Sequence, residues 1–522
     1  MIARAWPRTA GLLIALGVVV AASRAGAECP AGAPTGLFRG TTGGDGAEIV
    51  DVTLNLACAD GRYVAQVFTS QTDFEAQTAT GGPGHVVLKF DARGRFGHAD
   101  LKLDGDALNG DFQTGMTHGG LTARRVGPAR PLDAFTPTLN LTHAQWREDL
   151  AAFAAELPKR HANAFFHTPK PAFDAEIAEL GKRLDRMNGD EMFVALDRIT
   201  NAVGDGHTYM EAPADRQLLP IQLQRFGTEV RVTAAAPDLP QALGARVVRI
   251  GRVPIAEAFR RALTLTPQDE LPELQEGRAI GVLRSGMLLH GLGIIPNRGH
   301  AVFTLRTDAG RMITVDLKGQ PPGVSAPLTA AAKRSGLADQ DPGKPFWCRN
   351  LAEQRAVYCA FRGYQTLIRD ARDMFALIDE VHPGKLIIDM RDNGGGDNTI
   401  GYAALIRPLK ARADLNQTGR LYVLVGPLTF SAAMNNAAQF QDETKAILVG
   451  QEIGEKPNSY QEPRQSRLPN SHLIVRASSL YYRFREHGPN AVAPNRTILP
   501  SWADVKAGRD PALDWALAQP IP

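Results

Sequence analysis

The chain lacks an excess of charge of either sign. It carries 58 basic and 55 acidic residues, and residues 1–27 hold three arginines and no acid, which leaves 55 against 55 in the remainder. A basic footprint for nucleic acid is therefore absent. Long apolar runs are also missing. The one candidate, Gly11 to Ala22, has roughly a dozen apolar residues against the ~20 that cross a bilayer. Arg4 and Arg8 precede it and Ala25-Gly26-Ala27 follow it, the pattern of a cleaved export signal over residues 1–27. The expected protein is exported, periplasmic or secreted, with no stable membrane anchor. Cys29 follows Glu28 and not a small residue, which argues against a lipid anchor.

Cysteine is scarce as well: Cys29, Cys58, Cys348 and Cys359 are the full complement of 4. Oxidising surroundings favour pairing, and Cys29 with Cys58 and Cys348 with Cys359 is the most economical of the three connectivities. Their spacings do not resemble a zinc site, so no metal is expected. Gly (51) and Pro (35) are plentiful but scattered, so there is no low-complexity tract. At 522 residues with 44% apolar and 22% charged content, the chain reads as a multidomain globular protein.

Residues 28–126 give short alternating runs (EIVDVTLNL, RYVAQVF, HVVLKF, HADLKL) between turn-rich pieces, which predicts a small all-β module, sandwich or barrel. The Gly81-Gly82-Pro83-Gly84 run has no helix after it and reads as a turn, not a phosphate cradle. Residues 140–210 carry apolar positions at helical spacing, opened by Thr142 as a cap, and end in Gly204-Asp205-Gly206-His207-Thr208. A histidine in that turn is held by rigid structure and free to reach a cleft, yet on these residues alone a surface-loop histidine is the favoured reading. Residues 216–265 read as short strands and one helix, a compact module of the kind that binds a peptide by adding a strand.

The most informative stretch is Lys385 to Gly450. Leu386 to Ile388, Leu421 to Val425 and Ala446 to Val449 are apolar runs rich in branched residues, separated by amphipathic or small-residue segments. That β-α-β-α-β pattern predicts a parallel sheet. At its carboxyl edge, where ligands of open α/β sheets collect, lie Gly394-Gly395-Gly396 and a lone Ser431 opening a helix. Unpaired N–H groups at a helix start stabilise a negative oxygen, and a glycine run lets the backbone turn a second donor to the same point. An ordinary N-cap is the plain alternative for Ser431.

The segments DGHT (205–208), LIIDMRDNGGGDN (386–398), VLVGPLTFSAAMNNA (423–437) and ILVGQEIGEKPNSYQE (447–462), in that order, resemble the tail-specific, or C-terminal processing, serine peptidase family. The likeness covers residues 140 to 515. It implies an α/β core of the ClpP/crotonase-like kind over 280–518, built of repeated ββα units, with a PDZ-like insert at 216–265. It also implies Ser431 as nucleophile, with the N–H groups of Gly395 and Ala432 as oxyanion donors. Asp389 and Arg391 would hold the glycine loop in shape.

The base stays open between two residues. His207 has an unperturbed pKa near ~6.5, suited to work at neutral pH. Lys456 stands where the family's serine-lysine members would have their lysine, and it needs desolvation to lose its charge. Glu462 and Glu486 are candidates to orient the histidine. The expectation is thus an exported serine-type peptidase acting on peptides or unfolded protein segments without a cofactor. Its rival is a non-catalytic protein that binds a peptide or an apolar ligand on the same scaffold.

Overall fold

The computed structural model describes residues 29–44, 49–92, 95–114, 117–324, 327–331, 337, 340–341 and 343–522. The expected export signal lies outside them. No helix among the described residues is long and apolar enough to cross a membrane. The described chain divides into two compact units, one of residues up to 161 with 462–479, the other of 162–461 with 480–522.

In the first unit, nine strands between Gly36 and Gly127 form one antiparallel sheet. Strands adjacent in sequence pair, except that Asp73–Glu75 and Thr78–Gly82 form the two ends of the strand order, and Gly36–Gly44 pairs with Thr117–Gly127. Arg62–Thr69 touches Thr78–Gly82, and Asp73–Glu75 touches His85–Ala92, so the sheet curls on itself. Side chains alternate across a strand, and Val52, Leu54 and Leu56 accordingly point into one core with Phe38, Leu88, Leu101 and Leu108. A disulfide joins Cys29 to Cys58. The helix His143–Arg160 opens with the expected Thr142 cap, in a capping box with Gln145. Its buried Asp149 accepts from the N–H groups of Asn470 and Ser471, both at 2.8 Å.

The second unit contains a six-stranded sheet in the order Phe346–Leu351, Ala356–Phe361, Lys385–Asp389, Leu421–Val425, Ile447–Gly450, Arg496–Thr497. The first pair is antiparallel, with Cys348 opposite Cys359 and bonded to it; the rest are parallel. Every residue of Lys385–Asp389 and Leu421–Val425 is buried, as parallel strands covered on both faces must be. Leu386, Ile388, Val423 and Val425 pack with Met374 and Ile378 of the helix Leu367–Val381, and with Met434 and Phe440 of the helix Ala432–Glu443. Their alternates Ile387, Tyr422 and Leu424 meet Ala512, Leu513 and Ala516 on the opposite face.

The same unit holds an antiparallel sheet in the order Ile221–Phe226, Glu229–Ala235, Arg246–Ile250, His300–Arg306, Met312–Lys318. It draws on residues well beyond 265, because Ala301, Phe303 and Leu305 alternate toward the same core as Val232, Val247 and Ile250. The helix Pro272–Val282 is rooted in that core through Ala279, Ile280 and Val282. The helix Gly189–Asn201, capped by Asn188 and Glu191, leads into the histidine turn.

Candidate active site

Ser431 follows the turn after Leu421–Val425. Thr429 fastens that turn to the glycine loop: its Oγ1 donates to the carbonyl of Met390 at 2.9 Å, and the Phe430 N–H donates to the carbonyl of Asn393 at 3.0 Å. Ser431 itself sits at φ 56, ψ −126, a conformation that costs a non-glycine residue about 1–3 kcal/mol. Its side chain makes no capping bond to the helix Ala432–Glu443, so the plain N-cap reading fails. Instead its backbone N–H donates to the Glu455 carboxylate. Ala432 begins the helix, where the N–H has no intrahelical acceptor.

The turn after the helix Gly189–Asn201 brings His207 to this serine. His207 Nε2 lies 3.1 Å from Ser431 Oγ, and the imidazole stacks on Phe430 with centroids 4.6 Å apart. Asp205 Oδ1 accepts from the N–H groups of His207 at 3.0 Å and Thr208 at 2.9 Å, which shapes the turn. Far from a surface position, His207 is buried. That burial lowers its pKa to about 4, with Asp205 acting upward and Arg278 downward. The imidazole is therefore neutral at neutral pH, with one ring proton to place. For Nε2 to accept from Oγ, that proton belongs on Nδ1.

Nδ1 faces Glu455, whose Oε1 is 3.3 Å away and whose side chain is fully buried. Neither atom has a hydrogen-bond partner among the described residues, so the two stand at ion-pair distance without hydrogen-bond alignment. Burial, then the neighbouring Glu270, push the Glu455 carboxyl well above the usual range, while the Ser431 N–H works the other way. Burial raises Glu270 to about 7 against the backbone N–H groups of Lys456 and Gly206. Arg278 is the nearby cation; its Nη2 donates to the Gly206 carbonyl at 2.7 Å and its guanidinium lies 5.3 Å from the Phe430 ring centre.

The glycine loop closes the other side. Gly395 has φ +104, and a Cβ there would stand 2.7 Å from Ser431 Cβ and 3.2 Å from the Ala432 nitrogen. Only glycine fits that approach. The Gly395 N–H donates to Asn393 Oδ1 at 3.0 Å. Below the loop, Arg391 grips Asp389 and Asp510 with paired bonds of 2.6 to 2.9 Å, and Tyr358 donates to Asp389 at 2.8 Å. Burial works to raise Asp389, but Arg391 outweighs it and holds the carboxyl below its ordinary range.

The remaining sequence candidates have other surroundings. The Lys456 ammonium pairs with Asp269 at 2.8 Å. Glu462 belongs to the other unit, where its carbonyl accepts from Ser479 Oγ at 2.7 Å, and Glu486 is exposed. The acid that meets His207 is Glu455, which the sequence reading passed over although it adjoins Lys456. Glu270 and Arg278 were also missed. Among the described residues no group of three or more His, Cys, Asp or Glu is arranged to hold a metal ion.

The chain is thus a multi-sheet α/β protein with its serine and histidine at the carboxyl edge of a parallel sheet. No family model and no curated protein matches the sequence. Among solved structures, mature CPAF aligns with a TM-score of 0.50 at 12% identity, over 72% of this chain and 96% of that one. The photosystem II D1 C-terminal processing protease aligns at 0.34 and 13% identity, over 69% and 94%. The tricorn protease aligns at 0.33 and 12% identity, over 92% of this chain and 45% of that one. At the level of the fold, the resemblance to tail-specific peptidases read from the sequence is borne out in the alignment with mature CPAF.

Proposed function

We propose that the chain is an exported serine peptidase that hydrolyses peptide bonds in peptides or unfolded protein segments through an acyl-enzyme on Ser431. The observation that carries this reading is the 3.1 Å approach of His207 Nε2 to the hydroxyl of a serine at φ 56. Ser431 Oγ attacks the substrate carbonyl carbon as its proton passes to His207 Nε2. Glu455 faces the Nδ1–H of the imidazolium, whose charge counters the burial that raises this carboxyl and favours its carboxylate form. The carbonyl oxygen, now negative, takes the Ala432 N–H and the Gly395 N–H. His207 then returns the proton to the leaving amine, and water repeats the cycle on the ester. No step calls for a cofactor.

On this reading the parallel sheet and its helices are the ClpP/crotonase-like core, and the antiparallel sheet is the PDZ-like insert. Lys456 serves as the ion-pair partner of Asp269 and not as the base. One observation favours the rival, a binding protein without hydrolysis: the Gly395 N–H is turned onto Asn393 Oδ1. The peptidase reading requires that donor to leave Asn393 when substrate arrives, as hydrogen bonds at unliganded sites commonly realign. Incubation of oxidised protein with fluorescein-labelled casein separates the two. New peptide termini that disappear with Ser431→Ala support hydrolysis; casein left intact at every pH between 5 and 9 supports binding alone.

A further inference from the structure

We propose that Glu270 is a positioning residue for the His207–Glu455 pair, an inference that rests on the peptidase reading. Its two carboxylate oxygens divide between the two halves of the site. Oε1 accepts from the Gly206 N–H at 2.9 Å, and Oε2 accepts from the Lys456 N–H at 2.9 Å. Gly206 is the chain neighbour of His207, and Lys456 is the chain neighbour of Glu455. One side chain thus holds the peptides beside both members of the pair, though they are 64 and 186 residues away from it in sequence.

The adjoining residues complete the grip. The Leu271 N–H donates to the Gly454 carbonyl at 3.1 Å, so Glu455 is bracketed on both sides. Arg278 takes the Gly206 carbonyl, which leaves that peptide held at its N–H by Glu270 and at its oxygen by Arg278. A Cβ on Gly206 would come within 3.0 Å of Phe430 and 3.3 Å of Glu270 Oε1, so the residue type admits the close approach. Glu270 is only 6% exposed. Water does not replace its oxygens freely, so removing the carboxyl leaves both N–H groups without an acceptor. Because the helix Pro272–Val282 is rooted in the antiparallel sheet's core, this segment sets the distance between His207 and Glu455 from outside the parallel sheet.

The test is the saturation kinetics of a fluorophosphonate on oxidised wild-type protein and on Glu270→Gln and Glu270→Ala. Glutamine keeps one acceptor oxygen and alanine keeps neither, and a misplacement of 1 Å at a reacting site can cost about 100-fold. The expected maximal labelling rates are lower by roughly 10-fold for glutamine and roughly 100-fold for alanine, with the half-saturating probe concentration unchanged. A role in stability alone would lower the labelled fraction and the melting temperature while leaving the rate of the folded fraction intact. If alanine prevents folding, the glutamine variant, of equal size, decides. Wild-type protein that is labelled while the variants react at its maximal rate overturns the role of Glu270 and leaves the peptidase reading standing. Wild-type protein that is not labelled at Ser431 overturns both.

Discussion

Replacing Gly395 with alanine adds a single methyl group at the most crowded point of the site. That methyl would stand 2.7 Å from Ser431 Cβ, 2.9 Å from the Phe430 carbonyl oxygen and 3.2 Å from the Ala432 nitrogen. Two of these contacts are closer than carbon atoms tolerate, so the serine turn or the glycine loop has to move. The backbone adds to the cost, since φ +104 lies in the region an L-residue enters only at about 1–2 kcal/mol. Movement of the loop also takes away one oxyanion donor, a loss that elsewhere lowers rates by about 10²–10³-fold. Gly394→Ala is the internal control, because a Cβ there meets nothing within 4 Å. Stopped-flow or quenched fluorophosphonate labelling, read beside thermal melts, should show Gly395→Ala slower by at least about 100-fold. Gly394→Ala should stay within about two-fold of wild type, because no contact or backbone strain opposes it. Equal labelling rates for Gly395→Ala and wild type would refute the placement of the oxyanion pocket between Gly395 and Ala432.

Three further outcomes follow from the same geometry. His207→Ala should abolish labelling while Lys456→Ala keeps most of it; the reverse result transfers the role of base to the lysine. His207 should also shape the pH dependence. Its folded value of about 4 lies below its ordinary 6.5, so between those values the unfolded chain binds the extra proton. The stability gained from neutral His207 is complete above pH 6.5 and is lost as pH falls toward 4, about 3 kcal/mol in all. Glu270, raised from 4.5 to about 7, has the opposite sign: its contribution is lost as pH rises through that window. Melts of wild type and His207→Gln across pH 4 to 7 should differ in slope accordingly, and parallel curves contradict the burial argument. Finally, Cys29→Ser should destabilise the N-terminal sheet by about 2–4 kcal/mol, measured by chemical denaturation, with the labelling rate at Ser431 unchanged.

The parallel strands were legible because each is short, apolar and rich in branched residues. The runs at 386–388, 421–425 and 446–449 fall within or beside Lys385–Asp389, Leu421–Val425 and Ile447–Gly450. Ser431 was legible for a related reason: a strand, a turn and a small-residue helix place it at the sheet edge. The disulfides followed from economy of spacing. Glu455 was not legible, because in GEKPNSY nothing local distinguishes the acid that turns inward from the lysine that pairs with Asp269. Glu270, just before the helix Pro272–Val282, and Arg278 within it stand in no motif that singles them out. Glu270 is buried and Arg278 half-buried, and they satisfy backbone groups of the 206 and 456 turns, partners that no local pattern reveals. The second sheet outran its expected boundary because its fourth and fifth strands lie after an intervening helical stretch, and only register joins them to Arg246–Ile250.

The central claim is that Ser431 is a nucleophile activated by His207. Mass spectrometry of the oxidised protein after exposure to a fluorophosphonate tests it most directly. The account predicts one covalent adduct on the peptide containing Ser431, absent from Ser431→Ala and from His207→Ala. A folded, oxidised protein that carries no adduct at Ser431, or that carries it undiminished without His207, contradicts the account.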